Sequence, residues 1–261
     1  DLIGWLLFSV ALFTYGLTVE PTASYWDAGE YISTSAKLQV GHPPGAPFFQ
    51  MMGAVFSLFA SNNESIAIAV NFLSVVSSAF VILFLYWSTT LLLKKISKKN
   101  NFTNDANILL SSSIGALAFT FSDSFWFNAV ETEVYALAML FLSATFWCGL
   151  RWEKDFNNKR GDKWLLLICF LIGLSFGVHF MAILTIPAIG MIYFFKKYEK
   201  ITIKNFVLAN IISVSILLFI FKLLLPSTLS LFGQLEVFFV NSICLPFNSV
   251  TIIAVSYTHL R

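Results

Sequence analysis

Charge is what this chain is shortest of. Asp, Glu, Lys and Arg make up only 11% of its 261 residues, too few to solvate a soluble domain of that length. Cysteine is scarce and odd in number, with Cys148, Cys169 and Cys244 joined by no pairing motif; each lies in an apolar run and is expected as a small core residue. No zinc signature, phosphate-binding glycine loop or Ser/His/Asp triad pattern occurs, and no nucleic-acid partner is expected. The apolar runs also lack the alternation of a barrel strand, so any membrane spans are helices.

What is present is apolar: 57% of the residues are hydrophobic, 29 of them Phe, and the mean hydropathy is +0.78. Several runs approach the roughly 20 residues that cross a ~30 Å hydrocarbon core. The chain reads as an all-α, multi-pass membrane protein. Its net charge of +2 conceals an asymmetry, because 13 of the 16 Lys and Arg fall in "KKISKK", "RWEKDFNNKRGDK" and "KKYEKITIK". By the positive-inside rule these clusters are cytoplasmic.

Three clusters on one side demand an even number of crossings between neighbours. Spans are expected at about 2–19, 66–93, 108–126, 134–150, 164–178, 181–195, 203–225 and 237–255. The stretch 164–195 would make a helix of about 48 Å if it were unbroken, so it is divided by a fold-back near His179. Gly173 and Gly177 beside that turn have the spacing that lets helices approach closely. The run 46–60 is too short to cross and is expected as an interfacial or re-entrant helix in an external first loop. The segment from Leu2 to Val19 lacks a basic leader and a cleavage site, and is expected as a span and not a signal peptide. The final residues resemble translated adapter sequence. Residues 256–261 are therefore expected as a non-native tail, with 1–255 the transmembrane portion of a longer protein.

The same topology collects Glu20, Asp27, Glu30, Glu64, Asp123, Glu131, Glu133 and Glu236 on the external side, opposed there by little more than Lys37 and a snorkelling Lys222. Carboxylates cost roughly 2.5 to 3.5 kcal/mol each at a helix centre, less towards the interface. Several of them at one level, delivered by separate segments together with His179, mark a candidate site. Local alternatives exist. "SYWD" fits a capping box with Ser24 as N-cap and Asp27 reaching back, and "NAVE" lets Asn128 cap with Glu131. Asp27 and Glu30 would share a helix face. Glu131 and Glu133 cannot both face inward on a regular helix, which favours Glu133. "HPPG" is a stiff turn that projects His42.

The stretches "PTASYWDAGEYISTSAKLQVGHPPGAPFFQMMGAVFSLFA", "FWFNAVETEVYAL" and "LIGLSFGVHFMAILTIPA" resemble the bacterial membrane proteins grouped as domain of unknown function 2723, described as protein O-mannosyltransferase-like. The resemblance covers nearly the whole chain before the tail. It implies a GT-C type transmembrane bundle that takes a sugar from a polyprenyl-phosphate carrier outside the cytoplasm. It also implies location in a bacterial inner membrane with the site facing the periplasm or exterior. In that class an acidic residue of the first external loop is essential, and the matching position is Asp27.

An inverting transfer then needs a base, assigned to Asp27, with Glu30 orienting Asp27 or the acceptor. Groups to meet the departing phosphate are few: Lys37, His42 and His179. Glu133 is expected to bind sugar hydroxyls or order the loop, while Tyr25, Trp26 and Tyr135 offer flat surfaces. The bilayer, the lipid-linked sugar and a protein or glycan acceptor are the expected partners. No cofactor is implied, and a metal held by Asp27 and Glu30 is unforced. The rival reading is an ion- or proton-coupled transporter using the same acids and histidines.

Overall fold

The computed structural model describes residues 2–43, 45–100, 105–158, 161–198 and 200–251, and the side chains of all of these except 98–100 and 229. Pro44 and the proposed tail 256–261 lie outside them. The chain divides into two units, 1–199 and 200–261. Every regular element among the described residues is helical, and the protein is an all-α membrane protein.

The first unit is built on α4 (Ile66–Asn100), against which α1 (Leu2–Leu17), α3 (Pro47–Ser57), α5 (Asp105–Thr120) and α7 (Val134–Lys154) all pack. Between them lie the short α2 (Ala28–Lys37) and α6 (Asp123–Val130), followed by α8 (Asp162–Ser175) and α9 (Thr185–Lys197). The 35 residues of α4 span about 52 Å at 1.5 Å each. Its lysine-rich end therefore stands clear of a ~30 Å core. Small residues let the helices approach it closely: Ser74, Ser77, Ser78 and Ala79 are all buried.

Four continuous helical stretches are long and apolar enough to cross a membrane, 63–97, 134–154, 180–197 and 203–241, and the pair α5 and α6 makes a fifth. That pair is bent by 64°, so the stretch read as one span over 108–126 is broken near Phe121. The carbonyl of Thr120, released where α5 ends, accepts the hydroxyl of buried Tyr15 at 2.8 Å. The division of 164–195 falls at residues 176–179, between α8 and a 3-10 turn over Phe180–Leu184.

Chain direction and contacts separate the charges within this unit. At one end lie the C-terminus of α1, all of α2 and the start of α7, tied by the Glu20 N–H donating to the Val130 carbonyl at 2.9 Å. At the other end Lys95 of α4 pairs with Glu153 of α7. There too the Arg151 guanidinium lies over the rings of Trp147 and Trp164, 5.6 and 5.4 Å from their centres. Lys196 and Lys197 close α9 at this basic end.

Two expectations about small residues change. Cys148 is buried, but Cys169 and Cys244 are exposed. A helix that meets lipid has no reason to turn an apolar side chain inward, so an apolar run does not imply burial. Of the two spaced glycines only Gly177 makes a close approach: a Cβ there would lie 2.6 Å from Phe48 Cβ, whereas Gly173 has open space.

In the second unit α10 (Ile203–Leu218) passes through a π-helical turn, Phe219–Leu224, straight into α11 (Leu225–Asn241). The sequence reading ends a span at Leu225 and begins another at Val237. The chain instead stays helical through Pro226, because the wide turn lies where that proline withholds its backbone donor. Residues 252–255 of the expected last span are outside the described residues. Glu236 accepts backbone N–H groups from Asn248 and Val250.

Candidate active site

The site grows from the N-terminus of α2. Asp27 occupies the N-cap position, yet its side chain makes no capping bond. The capping box read in "SYWD" does not form, because the Ser24 hydroxyl donates to the Glu131 carboxylate across 107 positions of sequence. Asn128 likewise does not cap with Glu131; its amide donates to the Ser124 carbonyl within α6. The Asp27 carboxylate is left free for a ligand.

Asp27 and Glu30 face the same way, as their spacing predicts, and His42 stands against both. Its backbone N–H donates to Glu30 Oε1 at 2.6 Å, and its Nδ1 lies 3.1 Å from Glu30 Oε2. The other ring nitrogen, Nε2, is 3.9 Å from Asp27 Oδ2. The backbone N–H of His42, and then its ring, hold the Glu30 carboxyl below the usual carboxylate range. Asp27, Glu30 and His42 bring potential metal ligands within 4.8 Å of one another. Both Glu30 oxygens and the His42 Nδ1 already serve the pairing of those two residues.

The segment 131–133 corrects the sequence reading. Its backbone is extended at both Glu131 and Glu133, the Glu133 N–H donates to the Glu131 carbonyl at 3.1 Å across Thr132, and both glutamates are buried. The argument against both facing inward assumed a helix. Glu133 is pushed up to about 7 by burial and then by the charges of Asp27 and Glu131, with the backbone N–H groups of Val134 and Asp27 pulling the other way. Burial also raises Glu131, tempered by the Ser24 hydroxyl.

Ser24 and Asp27 are thus each tied to this segment, and between them Trp26 adopts φ 57°. A bulky residue in that left-handed region stores strain of order 1–3 kcal/mol. The outcome is that Tyr25 and Trp26 stand 78% and 89% exposed, their rings turned away from the protein. Behind them the Tyr31 hydroxyl is pushed up to about 12 by burial, then by Glu133, Asp27, Glu30 and Tyr135.

His179 arrives from the turn after α8. Its ring lies 5.6 Å from that of Tyr135, Nδ1 has no hydrogen-bond partner, and burial pushes it towards the neutral form. The turn is locked to α3 by the Gly177 carbonyl, which accepts the N–H groups of Phe48 at 2.8 Å and Phe49 at 3.2 Å. Lys37 ends α2, seven residues or about 10 Å along the helix from Glu30, and forms no ion pair with the acids. Beside Tyr135 opens a groove of about 400 Å³ walled by Phe119, Phe125, Met139 and Met181, with Ser122 and Asn128 among its polar atoms.

Sequence reasoning missed Asn71. Buried in α4, it donates its amide to the carbonyls of Glu20 at 2.6 Å and Thr22 at 3.1 Å, and accepts the hydroxyl of Thr132. One side chain joins the loop before Asp27 to the loop carrying both glutamates. A strong amide donor and acceptor inside an otherwise apolar helix was the available signal. Gln50 was missed too; its amide donates to Thr34 Oγ1 at 3.0 Å and holds α3 against α2.

Apolar helices that carry carboxylates, tyrosines and histidines to one end define a membrane protein with a polar site at the edge of its bundle. The family model for the protein O-mannosyl-transferase TMEM260 N-terminal domain matches residues 27–202, and the chain belongs to that family. The matched stretch starts at Asp27 and includes Glu30, His42, Glu133 and His179. Among curated relatives, a Dictyostelium discoideum protein named protein O-mannosyl-transferase tmem260 is 27% identical over 232 residues, 83% of this chain and 27% of the relative. A Mus musculus protein of the same name is 28% identical over 178 residues, 66% of this chain and 23% of the relative. The chain thus spans about a quarter of the length of these relatives. No solved structure matches it.

Proposed function

We propose that this chain forms the site-bearing membrane portion of a glycosyltransferase that moves a mannose-like sugar from a polyprenyl-phosphate donor to a Ser or Thr hydroxyl of a protein. The observation that carries this reading is the Asp27 carboxylate: free of the cap it could have made, solvent-accessible, and first in the stretch shared with the O-mannosyl-transferase family. By the positive-inside rule its end of the bundle faces away from the cytoplasm. Ion-coupled transport finds no support among the relatives, which are named as transferases.

In this reading the acceptor hydroxyl attacks the anomeric carbon from the side opposite the phosphate while Asp27 takes its proton, so the configuration inverts. The phosphate leaves with the bonding electron pair. It is met on the side of His179 and Tyr135, with the groove beside Tyr135 receiving the first isoprene units. Tyr25 and Trp26 supply flat surfaces for the sugar. The fold is of GT-C type. The test uses purified full-length protein, labelled polyprenyl-phosphate mannose and a Ser/Thr-rich peptide, with and without a chelator. Label on the peptide supports transfer, and the chelator arm reports metal dependence; ion flux in liposomes without labelled peptide overturns the reading.

Glu133 gives the site a pH dependence of known sign. A carboxyl raised to about 7 in the folded protein and near 4.5 when unfolded keeps its proton on folding between those values. The native state binds the extra proton there, so stability falls as pH rises from about 4.5 to about 7 and levels off above. Glu133→Gln should flatten that slope in melting temperatures taken from pH 4.5 to 7.5. A slope unchanged by the substitution would assign it to another group.

A further inference from the structure

We propose that His42 is the second proton-transfer group of this site, receiving through Nε2 the proton that Asp27 takes from the acceptor, and that Glu30 is a positioning residue that sets the imidazole tautomer. The proposal rests on the transferase reading and adds the route by which the proton leaves.

Glu30 is already committed. One oxygen accepts the His42 backbone N–H at 2.6 Å and the other faces Nδ1 at 3.1 Å, so both are already engaged in holding the His42 segment. An ionised carboxylate accepts hydrogen bonds and donates none. The proton of a neutral His42 ring must therefore sit on Nδ1, which leaves the lone pair on Nε2. That nitrogen points at Asp27, 3.9 Å from Oδ2. The gap is too long for a direct hydrogen bond, and an oxygen placed in it lies within about 2.8 Å of both groups. A water fills that place, donating one proton to each, and the acceptor hydroxyl, with one proton to give, binds Asp27 beside it. His42 is 44% exposed and Asp27 53%, so a protein side chain can reach them.

The balance is complete. The acceptor O–H bond breaks, the oxygen–carbon bond to the sugar forms, and the carbon–oxygen bond to phosphate breaks with its electron pair leaving on phosphate. The proton passes from the hydroxyl to Asp27, through the bridging water to His42 Nε2, and then to solvent. The imidazolium so formed stands between two carboxylates. The groups that stand against it are Asp27, Glu30 and the ring of Tyr31, all from α2. No described lysine or arginine forms an ion pair with any of these acids, so nothing cationic offsets the stabilisation.

The test follows transfer against pH in the full-length protein and its variants, with the imidazole signals read separately by nitrogen NMR. His42→Gly should lower turnover at saturating acceptor about 10²-fold with little change in KM, and added imidazole should restore at least tenfold. The limb of the wild-type pH profile that belongs to His42 should vanish from the unrescued variant. Glu30→Gln should move that limb to lower pH, since it removes one charge that favours imidazolium. In the NMR experiment, the His42 resonance, identified by its loss in His42→Gln, should show Nδ1 protonated and Nε2 bare. A variant that melts like wild type, keeps the pH profile and ignores imidazole reduces His42 to a loop-shaping residue. An Nε2-protonated ring overturns the proposal whether or not transfer is seen. Absence of transfer by the wild type at every pH, with the predicted tautomer present, counts against the transferase reading and leaves the placement of His42 supported.

Discussion

Asp27→Asn in the full-length protein abolishes sugar transfer, with turnover falling at least 10²- to 10⁴-fold, while membrane insertion and melting temperature stay at wild-type values. The two halves of this outcome have separate causes. Asn matches Asp in size and serves as well at a helix N-cap, and the Asp27 side chain makes no capping bond to lose. Stability is therefore indifferent to the exchange. Catalysis is not, because an amide cannot take a proton from a hydroxyl. The same labelled-donor assay measures the loss, and a thermal melt in detergent measures the unchanged fold. Wild-type turnover in this variant would remove Asp27 from the mechanism.

Gly177→Ala has the opposite profile. The new methyl would lie 2.6 Å from Phe48 Cβ and 3.2 Å from Phe48 N, where backbone has no room to yield. The turn and the start of α3 must separate, stretching the two N–H bonds that Phe48 and Phe49 make to the Gly177 carbonyl. Overpacking of this kind costs about 1–3 kcal/mol, and each strained hydrogen bond adds to it. The expected result is a lowered melting temperature together with reduced transfer, since the turn also carries His179. Gly173→Ala, with open space around it, is the matched control and should behave as wild type. Equal melting of the two variants would refute the close approach.

How much of this was legible beforehand follows from the range of each interaction. Helices were legible because an apolar run records its own burial in lipid; counting crossings between lysine clusters put eight carboxylates on one side, of which the structure relates Asp27, Glu30, Glu131 and Glu133. Asp27, Glu30 and His42 were singled out individually. Their juxtaposition needed the chain to reverse at left-handed Leu38, which ends α2, and so bring residue 42 back over that helix, which no local pattern specifies. Ser24 with Glu131, and Asn71 with Thr132, are pairs separated by 107 and 61 positions. Helical periodicity carries no trace of them. The error over Glu131 and Glu133 had a nearer cause: helical geometry was applied to a break between two helices, where neither glutamate has helical backbone angles.

Asn71 has a consequence of its own. The joint it makes between the loop bearing Asp27 and the loop bearing the glutamates consists of amide, carbonyl and hydroxyl groups, none of which titrates near neutrality. Ionic strength screens interactions between charges, and it has no comparable hold on a buried neutral joint. Changes in the salt or acidity of the medium bathing this end of the bundle therefore act on the carboxylates and on the ties that Glu131 and Glu133 make, while the joint at Asn71 keeps its shape.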